Sequence, residues 1–123
     1  MDYLQQIPVT MATTIGGLAV GTTTTLTLAN DVQYCIKGKG YKKSAVSNTA
    51  TPTTDAATGL AFNAIAVNKA GVFAICLDSS GALKVVQGGY SVAYSDAGEF
   101  TNGPPQLPVV PDNLCPIGYE LVK

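Results

Sequence analysis

The sequence predicts an all-β fold: a small antiparallel β-sandwich or barrel-like domain with extended N- and C-terminal arms. Apolar and polar residues alternate in several short runs, and clusters of Gly, Pro, Asn, Asp and Ser separate these runs. No segment of ten or more residues shows helical periodicity. We expect one β-domain over 23–103, an N-terminal arm or first strand over 1–22, and a proline-rich arm ending in a strand over 104–123.

The first predicted strands have one buried face each. In "TTTTLTLA", Leu26 and Leu28 alternate with threonines, and in "DVQYCIK" one face carries Val32, Tyr34 and Ile36. The glycines of "GKG" suit a tight connection with positive φ, after which "YKKSAV" can return antiparallel. These features predict a hairpin over 32–46.

The middle of the chain predicts a loop followed by a meander. The polar stretch 47–58, "SNTATPTTDAAT", is expected to form a long exposed loop. A strand or short turn over 62–67, a strand over 72–77 and a strand over 82–87 follow, separated by "NKAG" and "DSSG". Since 72–77 is apolar at every position, we expect both of its faces to be covered.

The last third of the chain predicts an irregular segment and then an arm. Tyr90, Val92 and Tyr94 alternate loosely among glycines, which suits an edge strand or an irregular arm. Prolines at 104, 105, 108 and 111 forbid a continuous ladder and favour extended backbone. In the final strand, residues 117, 119 and 121 are expected on one face. We expect this strand to be held by pairing, either within the domain or with a neighbouring subunit.

Low charge limits the classes of partner. Charged residues make up 12% of the chain, against about 25% in a typical soluble domain, and the net charge is −1. Such a chain has no long-range electrostatic field to steer a polyanion, so no nucleic-acid partner is expected. We also expect other subunits to cover part of its weakly charged surface. Four lysines cluster over 37–43. They suit either a small phosphate or sugar contact patch or, as we favour, a solvated hairpin tip.

Neither a targeting signal nor a disulfide framework is evident. The start of the chain lacks the basic segment of a secretory signal, and no apolar run approaches the roughly eighteen residues that cross a bilayer, so no membrane partner is expected. Cys35, Cys76 and Cys115 stand far apart, each among apolar residues, without the spacing of a zinc site. We expect all three to be small buried hydrophobic residues.

Catalytic motifs are absent from the sequence. Without histidine the chain has no Ser-His-Asp triad, no Cys-His pair and no imidazole metal site. A pair of carboxylates could flank a glycosidic bond, but most of the acidic residues stand where Asp caps a turn. These carboxylates are Asp78, Asp96, Glu99, Asp112 and Glu120. We expect no enzyme, no cofactor and no metal site, with a carboxylate-dependent hydrolase as an alternative.

Three motifs resemble those of small structural proteins encoded among the head genes of tailed bacteriophages. They are a G-x-x-Y hairpin at Gly38 to Tyr41, a D-x-x-G-x-L-x-V-x-Q-G pattern at Asp78 to Gly88, and P-x-G-Y at Pro116 to Tyr119, followed by apolar positions. The resemblance spans residues 34–123. It implies a capsid decoration, or cement, protein that is made in the bacterial cytoplasm and binds the outer surface of the virion as a homotrimer.

The partners implied by this resemblance are the major capsid protein and further copies of the chain. Candidate residues for contact with a subunit or with the capsid are the apolar residues of the two arms: Tyr3, Leu4, Ile7, Val9, Leu107, Val109, Val110, Pro111, Ile117 and Tyr119. A simple disordered N-terminus is the alternative for the first four. A head-fibre or tail-associated adhesion module that binds a carbohydrate or receptor is the alternative function, and it would need exposed tyrosines grouped on one face.

Overall fold

Three small antiparallel sheets make up the part of the chain that the computed structural model describes, which is residues 10–22, 24–88, 92–93, 100 and 105–122. Within these residues there are ten strands and no helix. The all-β prediction is therefore confirmed, and the arrangement is that of a small sandwich-like or barrel-like domain. The N-terminal candidates at positions 3, 4, 7 and 9 lie outside the described residues.

The predicted hairpin forms the centre of the first sheet, in the order β1 (Met11–Ala12), β4 (Val32–Ile36) and β5 (Lys39–Lys43). Val32, Tyr34 and Ile36 are buried, as their alternation predicts. The tight turn contains Lys37 and Gly38, both with positive φ (51° and 82°), which is the geometry of the two-residue turns that suit strand twist. Only one glycine of "GKG" therefore serves the turn, since the second lies within β5.

The second sheet corrects the prediction of a loop over 47–58. It has the order β2 (Leu18–Val20), β3 (Thr25–Leu28) and β6 (Val46–Ala50). The first part of the supposed loop is thus a strand, whose residues Val46 and Ala50 pair with Leu28 and Thr25. Composition concealed it because an edge strand that faces solvent needs few apolar side chains.

The third sheet has the order β10 (Cys115–Val122), β7 (Lys69–Leu77) and β8 (Leu83–Gln87), and β9 (Val92–Ala93) pairs with the start of β7. Residues on both faces of β7 are buried, as predicted from its apolar run. Ala74 and Cys76 pack with Val86 and Leu114 on one face. On the other face, β7 residues join two clusters that include Leu26, Leu28, Val32 and Tyr34 of the other two sheets.

The predicted meander is correct for two of its three strands. No strand forms over 62–67, where Phe62 instead packs edge-on against Phe73 with ring centroids 5.3 Å apart. The place beside β7 is taken by β10, which pairs along it from Cys115 opposite Leu77 to Val122 opposite Gly71. The final strand is therefore held by pairing within the domain, which is one of the two alternatives that the sequence left open.

A β-bulge corrects the predicted facing of the final strand. The register between β10 and β7 shifts between Pro116 and Gly118. Cys115 lies opposite Leu77, whereas Tyr119 lies opposite Ala74, a residue on the other face of β7. The bulge thus moves Tyr119 and Leu121 to the face opposite that of Ile117, because one extra residue reverses the alternation that follows it.

Candidate functional site

The candidate site is an apolar cleft of about 400 Å³ beside the final strand, which we call the tail cleft. Its floor includes Val72 of β7, and its other lining residues are Phe100, Pro105, Leu107, Tyr119, Glu120 and Leu121. Among the described residues that line it, Glu120 is the one that carries a charge. Leu107 and Tyr119 are 58% and 52% exposed, so large apolar groups of this cleft face solvent.

The proline-rich segment forms one wall of the tail cleft without joining the sheet. Pro105 and Pro108 are buried, and no strand forms over 105–110. Proline suits a buried position beside a sheet because it has no backbone N–H that would need a partner.

Gly88 makes room for this wall. A Cβ atom at that position would lie 2.8 Å from the carbonyl oxygens of both Gln106 and Val72. The glycine is therefore needed because backbone passes close to it on two sides.

The bulge in β10 supplies the opposite wall. By moving Tyr119 and Leu121 to the face of Val72 and Ala74, it places two large side chains next to the proline-rich segment. An uninterrupted strand would instead align both with Ile117. The signal for this change is Pro116, since proline within a ladder is found at edges and bulges.

The C-terminal candidates predicted from sequence fall into two groups. Leu107 and Tyr119 line the tail cleft, and Val109 is 87% exposed. Val110 and Ile117 are half-buried and pack against the core clusters, and Pro111, which follows Val110, is also half-buried. Packing within the domain explains the apolar character of Val110 and Ile117, so the interface hypothesis now depends on the first group. Sequence reasoning missed Leu121, which it had placed on the same face as Ile117.

Two of the five carboxylates considered for an alternative hydrolase, Asp78 and Asp112, lie at turns. Asp78 Oδ1 accepts hydrogen bonds from the N–H groups of Ser80 and Ala82, at 2.9 Å each, and from the Ser80 hydroxyl at 2.7 Å. Asp112 lies in the turn closed by the Leu114 N–H bond to the Pro111 carbonyl. Glu120 is exposed, and Asp96 and Glu99 lie outside the described residues.

The three cysteines differ in exposure. Cys76 and Cys115 are fully buried, as predicted, whereas Cys35 is only half-buried, because it lies on the outer face of β4. Burial raises the pKa of Cys76 to about 12, and burial followed by the charge of Cys35 raises the pKa of Cys115. Neither buried thiol is therefore ionised at neutral pH. No group of three potential metal ligands occurs among the residues that the structure describes.

The adhesion alternative requires exposed tyrosines grouped on one face, so the tyrosines and the lysines of the β4–β5 hairpin are relevant to it. Lys42 Nζ lies 3.1 Å from Asp31 Oδ2, and Lys39 Nζ lies 5.8 Å from the centre of the Tyr41 ring. Tyr34 is buried and stacks on the half-buried Tyr41, with centroids 5.6 Å apart. Of the tyrosines whose side chains are described, Tyr119 is the most exposed, and it lies in the tail cleft rather than at the hairpin.

Fold and site together define a small antiparallel all-β domain with an exposed apolar cleft beside its last strand. Comparison with models of protein families, with curated proteins and with solved structures finds no match for this chain. Within the described residues there is also no helix long and apolar enough to cross a bilayer.

Proposed function

We propose that this protein is a non-enzymatic structural component of a phage virion, which binds the assembled capsid and stabilises it as a decoration or cement protein. The observation that carries the proposal is the tail cleft. Its walls come from 105–107 and 119–121. These residues lie within 34–123, over which the sequence motifs resemble those of phage head proteins. Apolar pockets with large side chains at their rim are typical of surfaces that bind other proteins.

The composition supports the same function. A protein that covers a shell needs contact surface that is easily desolvated, and a chain with 12% charged residues has such a surface. The partners would be the major capsid protein on the outer surface of the virion and two further copies of the chain in a homotrimer. Three attachments on one trimer would strengthen contacts that are individually weak.

Stabilisation would follow from mass action. A ligand that binds the assembled shell but not its separated subunits lowers the free energy of the assembled state and raises the temperature at which the shell ruptures. This mechanism involves no turnover and requires no cofactor.

The test is binding to empty capsids of the phage that encodes the chain. We expect the wild-type protein to sediment with the capsids and to raise their rupture temperature in calorimetry. The double variant Leu107→Ser and Tyr119→Ser should lose both effects. The control variant Leu60→Ser changes a residue that is 69% exposed and does not line the tail cleft, so it should behave as wild type.

Two outcomes would count against the proposal. Capsids that neither bind the wild-type protein nor gain heat resistance would remove the cement function. Specific hits on a glycan array would instead favour the adhesion module on a head fibre or tail.

A further inference from the structure

The hairpin of β4 and β5 concentrates positive charge on one edge of a nearly neutral molecule. Four of the seven lysines lie here, at positions 37, 39, 42 and 43. Asp31 pairs with Lys42, and its other carboxylate oxygen accepts a 2.8 Å hydrogen bond from the Ala45 N–H. Lys37, Lys39 and Lys43 have no ion pair with any residue that the structure describes.

β5 is the edge of its sheet, and its outward backbone groups can be assigned. The two-residue turn makes Ile36 and Lys39 a hydrogen-bonded pair, so the pairs Cys35–Gly40 and Gln33–Lys42 are not bonded to each other. Accordingly, Gln33 directs its backbone groups towards the other neighbour: its carbonyl accepts from Thr13 N–H at 2.8 Å, and its N–H donates to Thr14 Oγ1 at 2.9 Å. On the opposite strand, the N–H and C=O groups of Gly40 and Lys42 therefore point away from β4.

No strand among the described residues pairs with this outer edge of β5. A row of free backbone donors and acceptors is a template for an added strand.

Nothing among the residues that the structure describes requires glycine at position 40. A Cβ atom there would meet nothing within 4 Å, and its φ is outside the left-handed region. Glycine weakens the middle of a strand, and it commonly marks a place where another backbone or a ligand approaches closely. A large side chain on a neighbouring strand would cover the space that Gly40 leaves open.

The lysines of β5 determine which kind of strand can pair with its outer edge. A second copy of β5 would bring lysines against lysines, which is the usual way in which lysine protects an edge from self-pairing. A segment with carboxylates would meet opposite charges at Lys39 and Lys43 instead. We propose that β5 is a docking edge for an acidic, extended segment of another protein, which adds to the β1–β4–β5 sheet as a fourth strand.

The hairpin fits a polypeptide better than an anionic polysaccharide. A strand satisfies the outward groups of Gly40 and Lys42, which a sugar chain does not do in register. The aromatic rings of the hairpin, Tyr34 and Tyr41, are buried and half-buried, so they provide no open platform for stacking sugars. The docking edge and the tail cleft involve different residues, so each can fail without the other.

The test uses the full chain and a fluorescent peptide of eight residues in which glutamate and valine alternate. Binding should weaken as salt rises. It should be roughly two- to thirtyfold weaker for the double variant Lys39→Gln and Lys43→Gln, which loses two cross-strand charge pairs. The control Lys69→Gln and Lys84→Gln makes the same change in net charge on β7 and β8 and should bind as wild type.

Amide hydrogen exchange separates strand addition from simple charge attraction. At saturating peptide, the amides of Gly40 and Lys42 should exchange at least about tenfold more slowly, because each gains a hydrogen-bond partner. A peptide with the valines replaced by proline has the same charge but cannot pair, and it should neither bind as tightly nor protect these amides.

Four results would overturn the proposal. The glutamate peptide could fail to bind, or it could bind without protecting Gly40 and Lys42. A peptide with lysine in place of glutamate could bind equally well. Protection of the same amides by self-association alone would make a second copy the occupant.

Discussion

The Tyr34 hydroxyl links the hairpin of β4 and β5 to the turn after β7. This hydroxyl donates a 2.7 Å hydrogen bond to the Asp78 carbonyl, while the Tyr34 ring is buried in the core. Tyr34→Phe keeps the ring and leaves the carbonyl without this donor, so we expect about 1 kcal/mol less stability in urea unfolding. Tyr41→Phe is the matched control, since the Tyr41 hydroxyl has no hydrogen bond with any residue that the structure describes. An equal loss of stability in this control would contradict the assignment to the Tyr34 hydroxyl.

Ionisation of Asp78 should make the free energy of unfolding depend on pH in the acidic range. Burial raises the pKa of its carboxyl, but hydrogen bonds from Ser80 and Ala82 and the charge of Lys84 outweigh burial and hold this pKa below its usual value. Because the folded pKa is lower than the unfolded value of about 3.9, the stabilisation is complete above that pH and is lost as the pH falls through the folded pKa.

The measurement is the urea midpoint between pH 7 and pH 2.5, for wild type and Asp78→Asn. We expect the wild-type midpoint to fall below about pH 4 and the variant, already less stable at pH 7, to fall less steeply. Asp31, whose pKa is lowered by the Ala45 N–H and by Lys42, contributes in the same direction in both proteins. Parallel curves for the two proteins would show that the Asp78 turn is not a source of the acid sensitivity.

Burial of single residues was predictable wherever a strand alternates without interruption. Leu26, Leu28 and Tyr34 are buried because an unbroken period of two fixes their face. Tyr119 could not be placed in this way, since the bulge before it reverses the facing and depends on how β10 meets β7. The tail cleft exists because of that reversal. The sequence could therefore suggest residues that line the cleft, but it could not predict that they lie close together.

Gly88 lets the proline-rich segment lie against the end of β8. An added methyl group would stand 2.8 Å from two backbone oxygens, which cannot move aside as a flexible side chain could. We expect Gly88→Ala to cost about 1–3 kcal/mol in chemical unfolding. Gly40→Ala adds the same methyl group in open space and should be neutral or slightly stabilising. Equal effects of the two substitutions would mean that the proline-rich segment shifts to accommodate the methyl group at position 88.

The final strand belongs to the core as well as to the C-terminal arm. β10 pairs along β7, and Leu114 and Cys115 are buried in separate core clusters. A chain ending at Gly103 should therefore lose its cooperative thermal unfolding transition in circular dichroism, and a synthetic peptide of residues 104–123 should restore it. A truncated chain that still unfolds cooperatively would show that β10 is dispensable for the fold.

Strands were predictable where their own residues form the core and were missed where pairing alone defines them. β7 and β8 are rich in buried Val, Ile and Leu, and their turn is marked by Asp78 and Gly81. β6 has mostly polar, solvent-facing residues, so its existence depends on β3 beside it. The apolar residues of 62–67 suggested a strand, but the position next to β7 was taken by the longer β10.

At the scale of the whole molecule, the proposed function leaves two possible partners for the tail cleft. Its exposed apolar residues could face another copy of the chain or the capsid, and the proposed function includes both contacts. The low charge of the chain suits either surface equally. One pair of substitutions can distinguish them, because the two contacts have different readouts.

We expect the purified protein to have about three times the mass of one chain in light scattering. If the tail cleft holds the subunits together, Leu107→Ser with Tyr119→Ser should give the mass of a single chain while circular dichroism shows a folded domain. If the variant remains trimeric but no longer sediments with capsids, the cleft faces the shell. The control Leu60→Ser should be trimeric and bind in both cases. A wild-type protein that stays monomeric at all concentrations would contradict the homotrimer, and it would leave capsid binding as the role to test for the cleft.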